Sequence, residues 1–87
     1  MKTLEGWEAA EIPLDEYLQV GDVVDEGIYN HFINVLPPLT LTDRLVQISE
    51  PTDTVDGRNT YPTLERNDQR WVYRGDCYRG ETVERKR

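Results

Sequence analysis

The chain holds one cysteine, one histidine, one serine and one phenylalanine, and no apolar run approaches the length of a membrane span. Each scarcity removes a class of chemistry. A lone Cys77 excludes an intramolecular disulfide framework and a structural zinc site built from four cysteines. His31 is the only imidazole that a metal or a catalytic dyad has to draw on. The single serine, Ser49, stands in "QISEP" and not in a nucleophile elbow, and there is no glycine-rich phosphate loop. No charged-then-apolar leader and no N-glycosylation triplet is present. An unpaired cysteine suits a reducing interior, so the expectation is a soluble, cytoplasmic protein that does not enter a membrane.

What is present points to one small domain over residues 1–87, with 1–3 and 84–87 expected to be flexible. A chain of this size buries only about 60–65% of the surface that its unfolded form exposes. Two Trp, five Tyr and one Phe therefore carry much of the burial. The net charge is −7, unevenly spread: residues 1–30 carry −7, residues 31–60 carry −2 and residues 61–87 carry +2. An acidic head disfavours nucleic acid and anionic membranes as partners. Within one small fold the acidic head is expected to face the basic tail, so that the charges neutralise each other.

Periodicity places a few elements. Trp7, Ala10, Leu14 and Tyr17 recur at helical spacing, but Pro13 interrupts them, which predicts an irregular start and a short turn of helix over Leu14–Gln19. Val24, Ile28, Phe32 and Val35 mark one face of a helix that Asp22 or Asp25 caps and that Pro37 ends. The Pro37-Pro38 pair reads as a helix stop and not as a displayed proline ligand, because Val35, Leu36, Leu39 and Leu41 surround it. Arg44–Ser49 reads as a strand and Glu50–Asn59 as a loop with an Asp56-Gly57 turn. In "TYPTLERNDQRWVY" a two-residue turn at Asn67-Asp68 pairs Leu64 with Trp71 and Glu65 with Arg70, with Pro62 at an edge or at a position that donates no ladder bond. Leu64, Trp71, Pro62 and Tyr73 then share the expected core face, with Trp71 as its central aromatic. One further short strand fits between Gly75 and Gly80. The expected fold is α+β, with one main helix packed on a three- or four-stranded antiparallel sheet.

No candidate chemistry outweighs its bland reading. Cys77 has Arg74 and Arg79 nearby in sequence, but free cysteine is among the most buried residue types. Aligning Gly57 with the sixth position of a calcium loop leaves Asp56 as the one carboxylate among its ligands, so calcium is rejected. Trp71, Tyr73 and Tyr78 alternate with Arg70, Arg74 and Arg79, as a base-stacking sheet would. A core face of aromatics backed by solvated arginines gives the same pattern, and the overall charge favours that reading.

The segments "FINVLPP", "LVQISEP", "DGRNTYPT" and "GDCYRGET", in that order, resemble a family of small bacterial proteins often encoded on plasmids and integrative elements. The resemblance runs from Tyr17 to Thr82. It implies a bacterial accessory role and supplies no reaction, ligand or site residue. The expected function is binding of a protein partner, without a cofactor, a metal or a catalytic constellation. Its candidate contact residues are the acids of the head: Glu5, Glu8, Glu11, Asp15, Glu16, Asp22, Asp25 and Glu26. An alternative is an acidic mimic of nucleic acid that blocks a DNA-handling protein. A second, from another class, is a thiol-dependent enzyme using Cys77.

Overall fold

Asp25 begins the longest helix by accepting the Ile28 amide on its carboxylate at 2.9 Å, which satisfies one of the donors that a helix start leaves open. This helix, Glu26–Asn34, has Val35 as its C-cap and stops before Pro37, as the proline pair requires. It turns Ile28 and Phe32 fully inward, while Val35, at 64% exposure, leaves the apolar face that the spacing assigned to it. Val24 is buried as expected, but from a strand and not from the helix.

The computed structural model describes residues 1–35, 37–49, 53–55 and 57–82. Among these, the helices are α1 (Leu4–Ala10), α2 (Leu14–Tyr17) and α3 (Glu26–Asn34). The strands are β1 (Val23–Val24), β2 (Pro38–Leu41), β3 (Leu45–Ile48), β4 (Asp53–Val55), β5 (Arg58–Asn67) and β6 (Arg70–Cys77). Five of them form an antiparallel sheet in the order β1-β6-β5-β3-β2, and β4 pairs with β5 next to β3. The fold is α+β, but it has three short helices in place of one main helix and more strands than the three or four expected. Two of the additional strands, β1 and β4, have two and three residues, too few for alternation to reveal. Helix α1 was not expected, because Pro13 interrupts the apolar spacing of its segment and pointed to an irregular start. The chain instead closes α1 with Glu11 in a left-handed conformation (φ 55°) and restarts at Pro13, the N-cap of α2.

The stretch from Glu50 to Asn59 is not wholly a loop, since β4 and the first residues of β5 lie in it. Residues 50–52, 56 and 83–87 are outside the described set, and with them Asp56 of the turn pair and the tail from Glu84 to Arg87. At the other terminus the Lys2 amide donates to the Val23 carbonyl at 2.7 Å and the Lys2 carbonyl accepts the Asp25 amide at 2.9 Å, which closes the sheet edge at β1. The opposite edge, β2, has four residues and starts at Pro38, so it offers little to an incoming strand.

The β5–β6 turn has two residues, as expected, but they are Asp68 and Gln69. Leu64 therefore faces Tyr73 and not Trp71, Trp71 faces Arg66, and Glu65 faces Val72 and not Arg70. Moving the turn by one residue shifts every pair by two, so Leu64, Trp71 and Tyr73 keep the same face. The register is set from outside the hairpin: β3 aligns Val46 with Leu64, and β1 aligns Val24 with Trp71. An extra residue in β6 then bends the ladder, with Gly75 at φ 76° opposite Thr63. There is no separate strand after Gly75, because β6 runs through the bulge to Cys77. Pro62 sits in central β5 and not at an edge. It lies in the gap between the stretches of β5 that pair with β3 and β4, so it breaks no bond on that side.

The core comprises Leu18, Val24, Ile28, Phe32, Val46, Ile48, Leu64 and Tyr73, with Trp71 packed at its margin. Trp71 is half-buried and stacks on Tyr29 with ring centroids 4.5 Å apart and planes 23° apart. Phe32, 2% exposed, holds the centre instead. We therefore expect Phe32→Ala to cost about 3–5 kcal/mol and Trp71→Ala clearly less, as measured by urea unfolding. A larger loss at Trp71 would restore it to the centre of the core.

Candidate partner-binding surface

The acidic head folds into two short helices, of which α1 lies against α3. Thr3 caps α1 by accepting the Gly6 amide on its hydroxyl at 3.0 Å, and Glu5 lies in the first turn beside the positive end of the helix. Close approach is possible because two positions lack side chains. A Cβ on Gly27 would meet the Leu4 Cβ at 2.9 Å, and one on Gly6 would meet the Tyr17 hydroxyl at 2.6 Å. Farther along, the Trp7 ring lies 5.2 Å from the His31 ring at 59°, and its indole N–H donates to the Ile12 carbonyl. Leu4 of α1 and Leu14 and Tyr17 of α2 are partly buried against the core.

The carboxylates take the remaining side. Glu5, Glu8, Glu11, Asp15, Glu16 and Glu26 are exposed. Asp22 and Asp25 are half-buried and serve the backbone, Asp22 by accepting the Gln19 amide at 2.8 Å and Asp25 as the cap of α3. Of the eight candidate residues, six are thus free to meet a partner and two help hold the fold.

The basic strands do not neutralise this surface. Among the described residues the ion pairs join Arg74 to Glu65 at 2.8 Å and Arg58 to Glu81 at 3.8 Å, and neither involves an acid of residues 1–30. The head's one cation, Lys2, lies 4.4 Å from the centre of the Tyr17 ring and contacts no carboxylate. The expected pairing of head with tail is therefore not seen in the described residues, while Arg85, Lys86 and Arg87 fall outside them.

The aromatic and basic alternation is also accounted for. Tyr73 and Tyr78 are buried, Trp71 stacks on Tyr29, and Arg74 is held by Glu65. No row of free rings is left for bases to stack on. A groove of about 620 Å³ does run between the start of α3 and the β5–β6 hairpin, but Asp25, Glu26 and Asp43 line it together with Arg66 and Arg70. Its mixed signs select no single ligand charge.

Cys77 is fully buried, and its S–H donates to the Arg74 carbonyl at 3.4 Å. The strand register puts it on the side of the sheet that carries Thr63 and Gln47, whereas α3, with His31, covers the other side. The two residues that a thiol mechanism would join are separated by the sheet. Among the described residues no three His, Cys, Asp or Glu side chains are grouped to hold a metal ion, and no helix is long and apolar enough to cross a membrane. Sequence reasoning overlooked Gln47, a buried amide whose nitrogen shares its two protons among the Thr63 hydroxyl and the Tyr78 and Glu81 carbonyls and whose oxygen accepts the Gly80 amide, tying β3 to β5 and to the segment after β6. Its polar side chain amid the apolar residues of "LVQIS" was the available signal.

A comparison with known protein families, curated proteins and solved structures finds no match to this chain. We expect Cys77 in the folded protein to be alkylated far more slowly than a free thiol at pH 8, and the difference to vanish in denaturant. Equal rates would show that the thiol is open to solvent.

Proposed function

We propose that the domain works by binding a protein partner, and that the contact surface is the acidic outer side of α1, α2 and the first turn of α3. The observation that carries this reading is the set of six exposed carboxylates that no cation among the described residues pairs with. Such a surface raises the local concentration of a basic partner and speeds its encounter, with an effect that salt weakens. The partner is therefore a protein with a cationic face. The resemblance to small bacterial proteins of mobile elements adds an accessory setting and names no partner.

The same surface supports a narrower reading, in which the carboxylates stand in for phosphates and the partner is a DNA-handling protein. The thiol-enzyme alternative gains nothing from the burial of Cys77 or from its separation from His31.

Affinity capture from the native host, followed by binding measurements on each captured protein, tests the proposal. We expect basic proteins whose affinity falls steeply between about 0.05 and 0.3 M sodium chloride. Binding should be lost when Glu5, Glu8, Glu11, Asp15, Glu16 and Glu26 are changed together to Gln or Asn. It should persist in a control carrying Asp68→Asn, an exposed acid in the turn of the β5–β6 hairpin. Competition by duplex DNA would select the mimic reading. Unchanged binding in the sixfold variant would reject the acidic surface as the contact site.

A further inference from the structure

The strand register orders the groove between the start of α3 and the β5–β6 hairpin. Val24 of β1 lies opposite Trp71 of β6, and Trp71 lies opposite Arg66 of β5, so the three share one face of the sheet. Tyr29 of α3 stacks on Trp71, and the two rings wall the middle of the groove. Asp25 and Glu26 line its β1 end, where α3 begins. Arg66 and Arg70 line its hairpin end. Asp43 lies beyond them on the β2–β3 turn, where the adjacent Arg44 offsets its charge. Both signs thus line one groove, yet no ion pair among the described residues closes across it. Backbone bonds hold the two ends in place, since Asp25 accepts the Ile28 amide and the Arg66 Nε–H donates to the Asp68 carbonyl at 3.2 Å.

We propose that this groove binds short peptides with free ends, taking the ammonium terminus on Asp25 and Glu26 and the carboxylate terminus on Arg66 and Arg70. A groove that favours neither charge alone suits a ligand that carries both. Arginine suits the carboxylate end, because its planar fork meets both oxygens at once. The half-buried rings of Trp71 and Tyr29 give the body of the ligand an apolar wall. Length follows from the sheet. Val24 and Arg66 are two strand spacings apart, about 10 Å, and three extended residues also span about 10 Å. A free amino acid is too short to touch both ends. The volume of about 620 Å³ falls within the range of small-ligand sites, about 300–1,000 Å³. The site shares Glu26 with the acidic partner surface but does not depend on a protein partner.

The test is an NMR titration of the isotope-labelled chain with the tripeptide Ala-Phe-Ala, its N-acetylated form and its C-amidated form. It is run in about 0.15 M sodium chloride, which screens long-range attraction. The free peptide should shift the Trp71 indole N–H and the backbone amides of Glu26 and Arg70, and leave β4 in place. Each blocked form should bind on the order of three- to tenfold more weakly, since each loses one charged contact. Glu26→Gln should weaken the free and the amidated peptide by a like factor and spare the acetylated one. Arg70→Gln should weaken the free and the acetylated peptide and spare the amidated one. Both residues are exposed, so neither change disturbs the fold. The absence of any shift at about 10 mM free peptide would overturn the proposal. So would equal affinity for all three peptides, or variants that weaken all three alike.

Discussion

Leu64 is fully buried where three strands meet, directly opposite Val46 of β3 and Tyr73 of β6, in one cluster with Ile28 and Phe32 of α3. A single register satisfies all of these contacts, and the rest of the molecule is built around it. Because side chains alternate along a strand, fixing Leu64 toward α3 sends Thr63 and its partner Gln47 to the other side. A buried amide there must find partners or cost about 1–3 kcal/mol. Gln47 finds them in Thr63 and in the turn after β6, which draws the chain over that side of the sheet, where Cys77 is buried too. The apolar constraint on one face thus dictates the polar network on the other.

The same constraint governs where the charge goes. With α3 occupying the sheet, α1 packs against α3 while Leu14 and Tyr17 of α2 reach the margin of the core. Gly6 and Gly27 give them the clearance, and Leu4, Trp7, Leu14 and Tyr17 supply the apolar contact. Their acids are left facing solvent. Meanwhile Glu65 and Glu81 have taken Arg74 and Arg58 within or beside the ladder. Among the described residues charge is therefore sorted by packing and not by pairing between the head and the basic strands.

Where the signal was local and long enough, the sequence revealed the element: α3 with its Asp25 cap and proline stop, the core of β3, the hairpin and the shared face of Leu64, Trp71 and Tyr73. What it did not reveal depended on distant partners. The hairpin turn moved by one residue, and its pairs by two, because Val46 and Val24 fixed the register, and no reading of residues 58–77 alone contains them. Strand β1 is two residues long and exists through its pairing with Trp71 and Val72. The acids of the candidate surface were visible as a block of charge, but which were free was not, since Asp22 and Asp25 differ from Asp15 and Glu16 only in the backbone amides they meet.

The claim at the centre of this account is that the head's carboxylates repel one another without compensation from the basic strands. A chain of net charge −7 with a radius of gyration of 12.1 Å holds those charges closer together when folded than when unfolded. Thermal unfolding in sodium chloride measures the balance. Screening at about 0.5 M shortens the Debye length to a few ångströms, relieving the repulsion and weakening the Arg74–Glu65 and Arg58–Glu81 pairs together. Sulfate is unsuitable, since it strengthens apolar burial whatever the charge. The account predicts that Tm rises with sodium chloride in the unaltered chain and rises less when the six exposed acids are neutralised. A fall in Tm over the same range would mean that attraction between head and strands outweighs repulsion, and would contradict it.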